Sequence, residues 1–273
     1  MSTTASATPA SGLGHRVGVT RQVRLMARRS VSRTLRQPAL FLPVITFPLI
    51  LMAVNSAGLS SATKLPGFPT DHYVNFAVVV CFMQGALFAA ITAGTELAGD
   101  IDRGFIDRLS LTPARGVSIL LGSMAGAIVL ALGGSVLYTV VGVIFGVTFE
   151  SGPLGAIVLV LMAMYIAVAF IGLGAIMALW TGSAEAVQGL FPLLFVLLFL
   201  STMSLPREFI EQDWFRTIAT WNPLSYLIDG MRSLIITGWD AGALAAGFGT
   251  ATAILVLSYW WASRLLRTRM TRT

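Results

Sequence analysis

Charge is what this sequence has least of. Lys+Arg number 18 and Asp+Glu 12 in 273 residues, 11% of the chain, where an ordinary soluble domain carries ~25%. So few charges beside so many apolar residues exclude a disordered chain. A single cysteine, Cys81, excludes a disulfide scaffold. With only His15 and His72 beside it there is no metal-ligand spacing, and paired carboxylates and a nucleophilic triad are missing too. Lysine is the scarcest charge: Lys64 stands alone among 17 arginines. A phosphate-binding P-loop requires Gly-Lys-Ser/Thr, and Lys64 sits instead in Thr63-Lys64-Leu65. The chain therefore cannot hold ATP in a Walker A loop.

What is abundant is apolar: 56% of residues, with a mean hydropathy of +0.81. Outside the N-terminal tail, six uncharged stretches are long: 37–63, 72–95, 116–149, 151–184, 186–206 and 241–263. A bilayer core of ~30 Å needs about 20 helical residues at 1.5 Å each, and each stretch reaches that length. Strand-like alternation is absent, which disfavours a β-barrel. The predicted fold class is an all-α polytopic membrane protein with six transmembrane helices, at about 39–59, 73–95, 117–147, 154–180, 186–205 and 242–262. Residues 1–38, the loop 96–115 and the tail beyond 263 share one side of such a topology and hold 14 basic residues; the other side holds four. The positive-inside bias then predicts that both termini are cytoplasmic. The net charge of +6 thus reads as a topological label, with no nucleic-acid partner implied.

Along the chain, 1–16 reads as a disordered cytoplasmic tail. In 17–37, Val19, Val23, Met26, Ala27, Val31 and Leu35 recur at helical steps with most arginines opposite, which predicts an amphipathic helix in the cytoplasmic interface. The membrane domain is 38–263, and 264–273 is a basic cytoplasmic tail. Pro43 and Pro48 each remove a backbone bond from span one. Gly122-x-x-x-Gly126 and Gly142-x-x-x-Gly146 allow close helix approach; the ordinary reading is packing within the protomer. On the outer side, 206–240 shows helical apolar spacing in segments too short to span, notably Leu224–Thr237 after Asn222-Pro223. This predicts a re-entrant helical hairpin between spans five and six, with Trp214 and Tyr226 among its apolar residues and Asp229 and Arg232 as an i,i+3 pair.

The stretch between spans two and three, 96–115, crowds four acids and three arginines around Phe105, Ile106 and Leu109, with Pro113 ending the turn. Two readings stand level: a solvated connection, or an apolar ridge rimmed by charge that docks a partner. In span five, Phe191, Phe195 and Phe199 repeat every four residues between Gln188 and Met203, and span two carries Asn75, Met83 and Gln84. These are candidates for a translocation path; lipid-facing or packing roles are the competing reading. No acid, arginine or histidine lies at mid-span, which disfavours an ion-driven secondary carrier.

At the 96–115 loop the sequence resembles permease subunits of ABC-2 type exporters, in the daunorubicin/multidrug-resistance group. Asp102-Arg103-Gly104-Phe105-Ile106-Asp107-Arg108-Leu109-Ser110-Leu111-Thr112-Pro113 is similar to the family's Asp-Arg-x-x-Gly-x-x-x-Arg-Leu-x-x-x-Pro, with a shortened Arg-to-Gly spacing. Arg33–Phe47 resembles the family's arginine-rich entry into a Pro-containing first span, and Pro223-Leu224-x-Tyr226 followed by Arg232 matches the end of its signature. Asn222 and Asp229 are also typical, while Leu205-Pro206 lies further upstream than the family spacing. The resemblance implies a half-transporter in a bacterial cell membrane, a homodimer or heterodimer of permeases with two copies of a separate ABC ATPase. Cofactors would be none in this chain, with ATP and Mg in the partner. By that analogy 17–37 is a connecting helix, and Glu96, Asp100, Asp102, Arg103, Gly104, Phe105, Ile106, Arg108, Leu109 and Pro113 belong to a coupling helix that meets the ATPase. The implied cargo is a hydrophobic or amphipathic compound (drug, glycolipid or polyketide), with polysaccharide or lipo-oligosaccharide export as the alternative.

Overall fold

The structure of the protein, a computed structural model, describes residues 19–104, 122 and 124–270. The expected tail 1–16, the start of the predicted third span, and Phe105, Ile106, Arg108, Leu109 and Pro113 lie outside these residues. Ten α-helices follow one another among the described residues: α1 Val19–Leu35, α2 Pro38–Gly58, α3 Tyr73–Asp102, α4 Ala125–Ile144, α5 Gly152–Thr181, α6 Ala184–Gly189, α7 Phe191–Phe199, α8 Asp213–Trp221, α9 Pro223–Ile236 and α10 Ala241–Met270. Short 3₁₀ turns stand at Ser60–Lys64 and Arg207–Phe209.

Helix α3 is the centre. Of its most apolar stretch 89% is buried, against 17% for α2 and α10, so α2 and α10 lie at the periphery and α3 is packed on all sides. It contacts α2, α4, α5, α6 and α9, while α10 reaches the core through α5 and α9. The α3–α5 crossing depends on missing side chains: a Cβ on Gly174 would stand 1.9 Å from the Ala90 carbonyl oxygen, which only glycine permits.

Among the described residues five helices are long and apolar enough to cross a membrane: α2, α3, α4, α5 and α10. The predicted span 186–205 is instead broken into α6 and α7. Pro192 has no N–H to give the Gln188 carbonyl, and Leu193 N–H bonds only three residues back, to Leu190 at 3.2 Å. The chain nevertheless runs the length of α3. Val187 meets Gly94, Phe195 packs on Phe88 with ring centroids 6.2 Å apart, and the Tyr73 hydroxyl donates to the Ser204 carbonyl at 2.7 Å. From Gly94 to Tyr73 is roughly 31 Å of helix. Two ends of the bundle follow from this: a basic end, where α1 and the last turns of α3 and α10 gather, and a hairpin end, where α8 and α9 sit.

Proline also shapes α2. Without an N–H on Pro48, the Val44 carbonyl loses its helical partner, and the buried Tyr138 hydroxyl of α4 donates to it across the interface. Cys81 Sγ lies 3.4 Å from the Pro48 carbonyl. The first of the two glycine pairs is the seat of α1, since a Cβ on Gly122 would stand 2.3 Å from Met26 Cβ and one on Gly126 2.1 Å from Thr34 Oγ1. The second pair does not act as a pair: Gly142 packs on Val78, while Gly146 turns the chain at φ +89°. At the far end α10 continues as helix through Arg264, Arg267 and Arg269, so the predicted basic tail prolongs the last span.

Candidate functional site

At the basic end α3 outlasts the membrane core. Glu96 lies 23 residues beyond Tyr73, roughly 35 Å of helix, so Glu96 and Asp100 occupy its final turns and not a loop. They stand one turn apart, on the same face, and both are buried, 8% and 5% exposed. Asp100 Oδ1 meets Arg29 at 3.2 Å, Arg103 at 3.2 Å and Arg33 at 3.6 Å. Thr34 and Ser30 hydroxyls lie 3.3 and 3.4 Å from the Glu96 oxygens. Ser30 Oγ also accepts the Gly126 N–H at 3.0 Å, tying the start of α4 into the same knot. Gly104, at φ +62°, then closes α3: its N–H bonds back to Ile101 at 2.9 Å. Asp102 is exposed.

This arrangement differs from the amphipathic reading of α1. Its tightest contacts are polar, through Ser30 (7% exposed) and Thr34 (0%), whereas Leu35 of the predicted apolar stripe is exposed. The hydroxyl pair at i,i+4, flanked by Arg29 and Arg33, is a polar contact face that the predicted apolar stripe did not include.

At the hairpin end the problem is a chain that is no longer helical. Backbone deep in a protein must find partners for its N–H and C=O groups, and α9 and α3 supply them residue by residue. Asn222 caps α9 by accepting the Leu224 N–H at 3.0 Å while its amide donates to the Leu197 and Leu200 carbonyls at 2.7 and 3.1 Å. Pro223 takes the first helical position, where no donor is needed. Ser225 Oγ accepts the Thr202 N–H at 3.2 Å. Arg232, 7% exposed, donates to the Thr202 and Met203 carbonyls at 3.0 and 3.2 Å and lies flat over Phe76, 3.4 Å from the ring centroid. Asp229 accepts the Thr202 hydroxyl at 2.9 Å and stands 2.9 Å from Arg207 and 3.6 Å from Arg232. The predicted Asp229–Arg232 pair is therefore present, but Arg207, absent from the predicted set, is the closer ion partner. Burial pulls the Arg232 guanidinium down to about 10, against the pull of Asp229 and Tyr73; it stays cationic at neutral pH. Tyr226 donates to the Thr220 carbonyl at 2.9 Å and carries Arg207 over its ring. Trp214 is 60% exposed.

The residues predicted to line a path do not form one surface in the single chain. Asn75, Met83 and Gln84 are buried in α3, with Asn75 3.4 Å from the Thr148 hydroxyl. Gln84 is 0% exposed, and neither polar atom of its amide has a partner. Phe195 is buried against Phe47 and Phe88, Phe199 is half-exposed, Met203 is buried and Gln188 is exposed. Phe191 opens α7.

Comparison with known proteins supplies the family. The family model for ABC-2 type transporters matches residues 21–236. Relatives described as probable doxorubicin resistance ABC transporter permease protein DrrC, from two strains of Mycobacterium tuberculosis, are each 23% identical over 221 residues, covering 80% of this chain and 78% of theirs. The matched region contains α1 from Arg21 onward, all of α3 and the complete Asn222–Arg232 assembly. With its apolar helices of spanning length, the chain is a multi-pass membrane protein, and it belongs to the ABC-2 type transporter family.

Proposed function

We propose that this chain is the permease subunit of an ATP-driven exporter in a bacterial cell membrane, working as a dimer with two copies of a separate ABC ATPase that bring ATP and Mg. The observation that carries the reading is the Asp100 knot. It ties α1 and α4 to the end of the most buried helix in the protein, directly before the 105–113 segment that resembles a coupling helix. A push on that segment would act on α3, and through α3 on every helix packed around it. Both termini lie on the cytoplasmic side in this reading, and the hairpin lies outside. The names of the relatives make a doxorubicin-like amphipathic drug the first cargo to try.

The test is co-reconstitution with the ATPase partner, following drug-stimulated ATP hydrolysis and drug flux together. Asp100→Asn and Phe105→Asp are expected to keep basal hydrolysis, while stimulated hydrolysis and flux fall at least tenfold. Wild-type coupling in both variants would sink the proposal, and flux that a protonophore abolishes would assign the energy to an ion gradient.

A further inference from the structure

The hairpin assembly also encloses space. A cavity of about 230 Å³ opens between the start of α3, the 206–208 turn, α9 and the start of α10, with Phe76, Arg207, Asp229 and Arg232 on its inner wall and Glu208 and Asp240 at its mouth. Drug-sized ligands need pockets of ~300 Å³ or more, so the room suits a compact headgroup. Its lining holds two guanidinium groups, Arg207 and Arg232, and three carboxylates, Asp229, Glu208 and Asp240, a mixed-charge surface that suits a zwitterion and not a bare anion. The Nε atoms of both Arg207 and Arg232 are buried and have no acceptor among the described residues. A buried donor on a cation without an acceptor is costly, and a phosphate oxygen is the acceptor that guanidinium geometry fits best. Glu208 and Asp240 are the exposed carboxylates of the lining. Asp240 Oδ1 is engaged in capping α10 through Gly242 and Ala243 at 2.8 and 3.0 Å, which leaves the exposed Glu208 to meet a cation. The remaining wall is Pro69, Pro206, Ile236 and Ala243, with the hydroxyl residues Ser233 and Thr237. Around the same end of the bundle Trp214, Trp221 and Trp239 are 60%, 84% and 52% exposed, and tryptophan collects at headgroup depth.

We infer that this cavity binds the headgroup of a zwitterionic phospholipid, its phosphate on Arg207 and Arg232 and its ammonium at Glu208. The site would pin the hairpin to the leaflet on its side. This rests on the membrane placement of the hairpin and not on the cargo or the ATPase, and the assay that tests it involves neither.

Purified full-length chain, equilibrated with equal amounts of phosphatidylethanolamine, phosphatidylglycerol and phosphatidylcholine and examined by native mass spectrometry, is expected to retain phosphatidylethanolamine at least fivefold over phosphatidylglycerol. Arg207→Gln is expected to lose that retention at least fivefold, while Arg216→Gln, whose partner Asp213 lies outside the cavity, keeps it. Glu208→Gln should level phosphatidylethanolamine with phosphatidylglycerol. Equal retention of the three lipids by the wild type, or undiminished retention in Arg207→Gln, overturns the proposal. Soluble glycerophosphoethanolamine separates the sources: if it raises the melting temperature as far as the lipid does, the ligand is a free phosphodiester and the lipid assignment fails.

Discussion

At the basic end of α3, Asp100 is the buried partner, 7% exposed at its side chain, and Arg29, Arg33 and Arg103 reach it from positions 47%, 31% and 56% exposed. At the hairpin end the burial is inverted: Arg232 is 8% exposed and Asp229 33%. The acceptors differ as well. Among the described residues Asp100 is held by side chains, whereas Arg232 gives two of its nitrogens to the Thr202 and Met203 carbonyls, the backbone of a broken helix. A tie between hydrated side chains can lengthen or exchange partners at little cost. A cation that satisfies buried backbone cannot leave without orphaning it. One end of α3 is therefore built to give and the other to hold, the division that the proposed coupling would require.

The comparison breaks or survives first on Arg232→Met. Loss of the buried cation orphans two carbonyls and leaves Asp229 with Arg207 as its ion partner, and the expected cost is about 3–5 kcal/mol, read as the unfolding midpoint in mixed micelles. Asp100→Asn also removes a buried charge, but its partners are partly hydrated, and it should cost only about 1–2 kcal/mol. Equal costs would erase the distinction between the two ends.

Helix α1 gives the next test, because its seat is steric as well as ionic. Gly126→Ala puts a methyl 2.1 Å from Thr34 Oγ1, against backbone and hydroxyl groups of α1 that have nowhere to go. A loss of about 1–3 kcal/mol is expected, together with faster protease cleavage within 19–35. Gly133→Ala on the same helix has nothing within 4 Å and should be neutral or gain up to about 1 kcal/mol from helix propensity. Tyr138→Phe then isolates backbone rescue without charge. The Val44 carbonyl loses its donor, at an expected cost of about 0.6–1.7 kcal/mol, the range of hydrogen bonds between membrane helices. A cost as large as that of Arg232→Met would mean that charge adds nothing at the hairpin end.

Much of this was legible in the chain. The uncharged stretches located the five long helices, although α3 runs on to Asp102 and α10 to Met270, Asn222-Pro223 marked the start of α9, and the Asp229–Arg232 spacing gave a real contact. What the sequence concealed was anything that depends on two distant segments meeting. Pro192 is a weak point in 186–205 that a reading by lack of charge passes over, because hydropathy measures transfer to lipid and not helical continuity. Glu96 and Asp100 looked like loop residues because they are acids beside a basic loop; only the arginines and hydroxyls of α1, more than 60 positions away, make their burial tolerable. Tyr138 and Pro48 are likewise unremarkable separately. The coupling between α3 and 105–113 remains a matter of resemblance, since those residues lie outside the described part of the chain.

The smallest expected effect is the one that shows whether the basic end really gives. Arg29→Ala removes a partner of Asp100 that is 47% exposed, while Arg33 and Arg103 stay within 3.6 and 3.2 Å of the same oxygen. Solvent screening leaves such a pair worth less than about 1 kcal/mol, and 1 M salt, with a Debye length of ~3 Å, should shrink even that. The arginines share one carboxylate, so their deletions cannot be independent. Each single variant should be nearly silent, but Arg29→Ala, Arg33→Ala and Arg103→Ala combined would leave Asp100 buried and ionised without a cation, and should cost several-fold more than the singles added together. Additive costs in the triple variant would mean that each arginine acts through its own contacts and that Asp100 is not the hub of the knot.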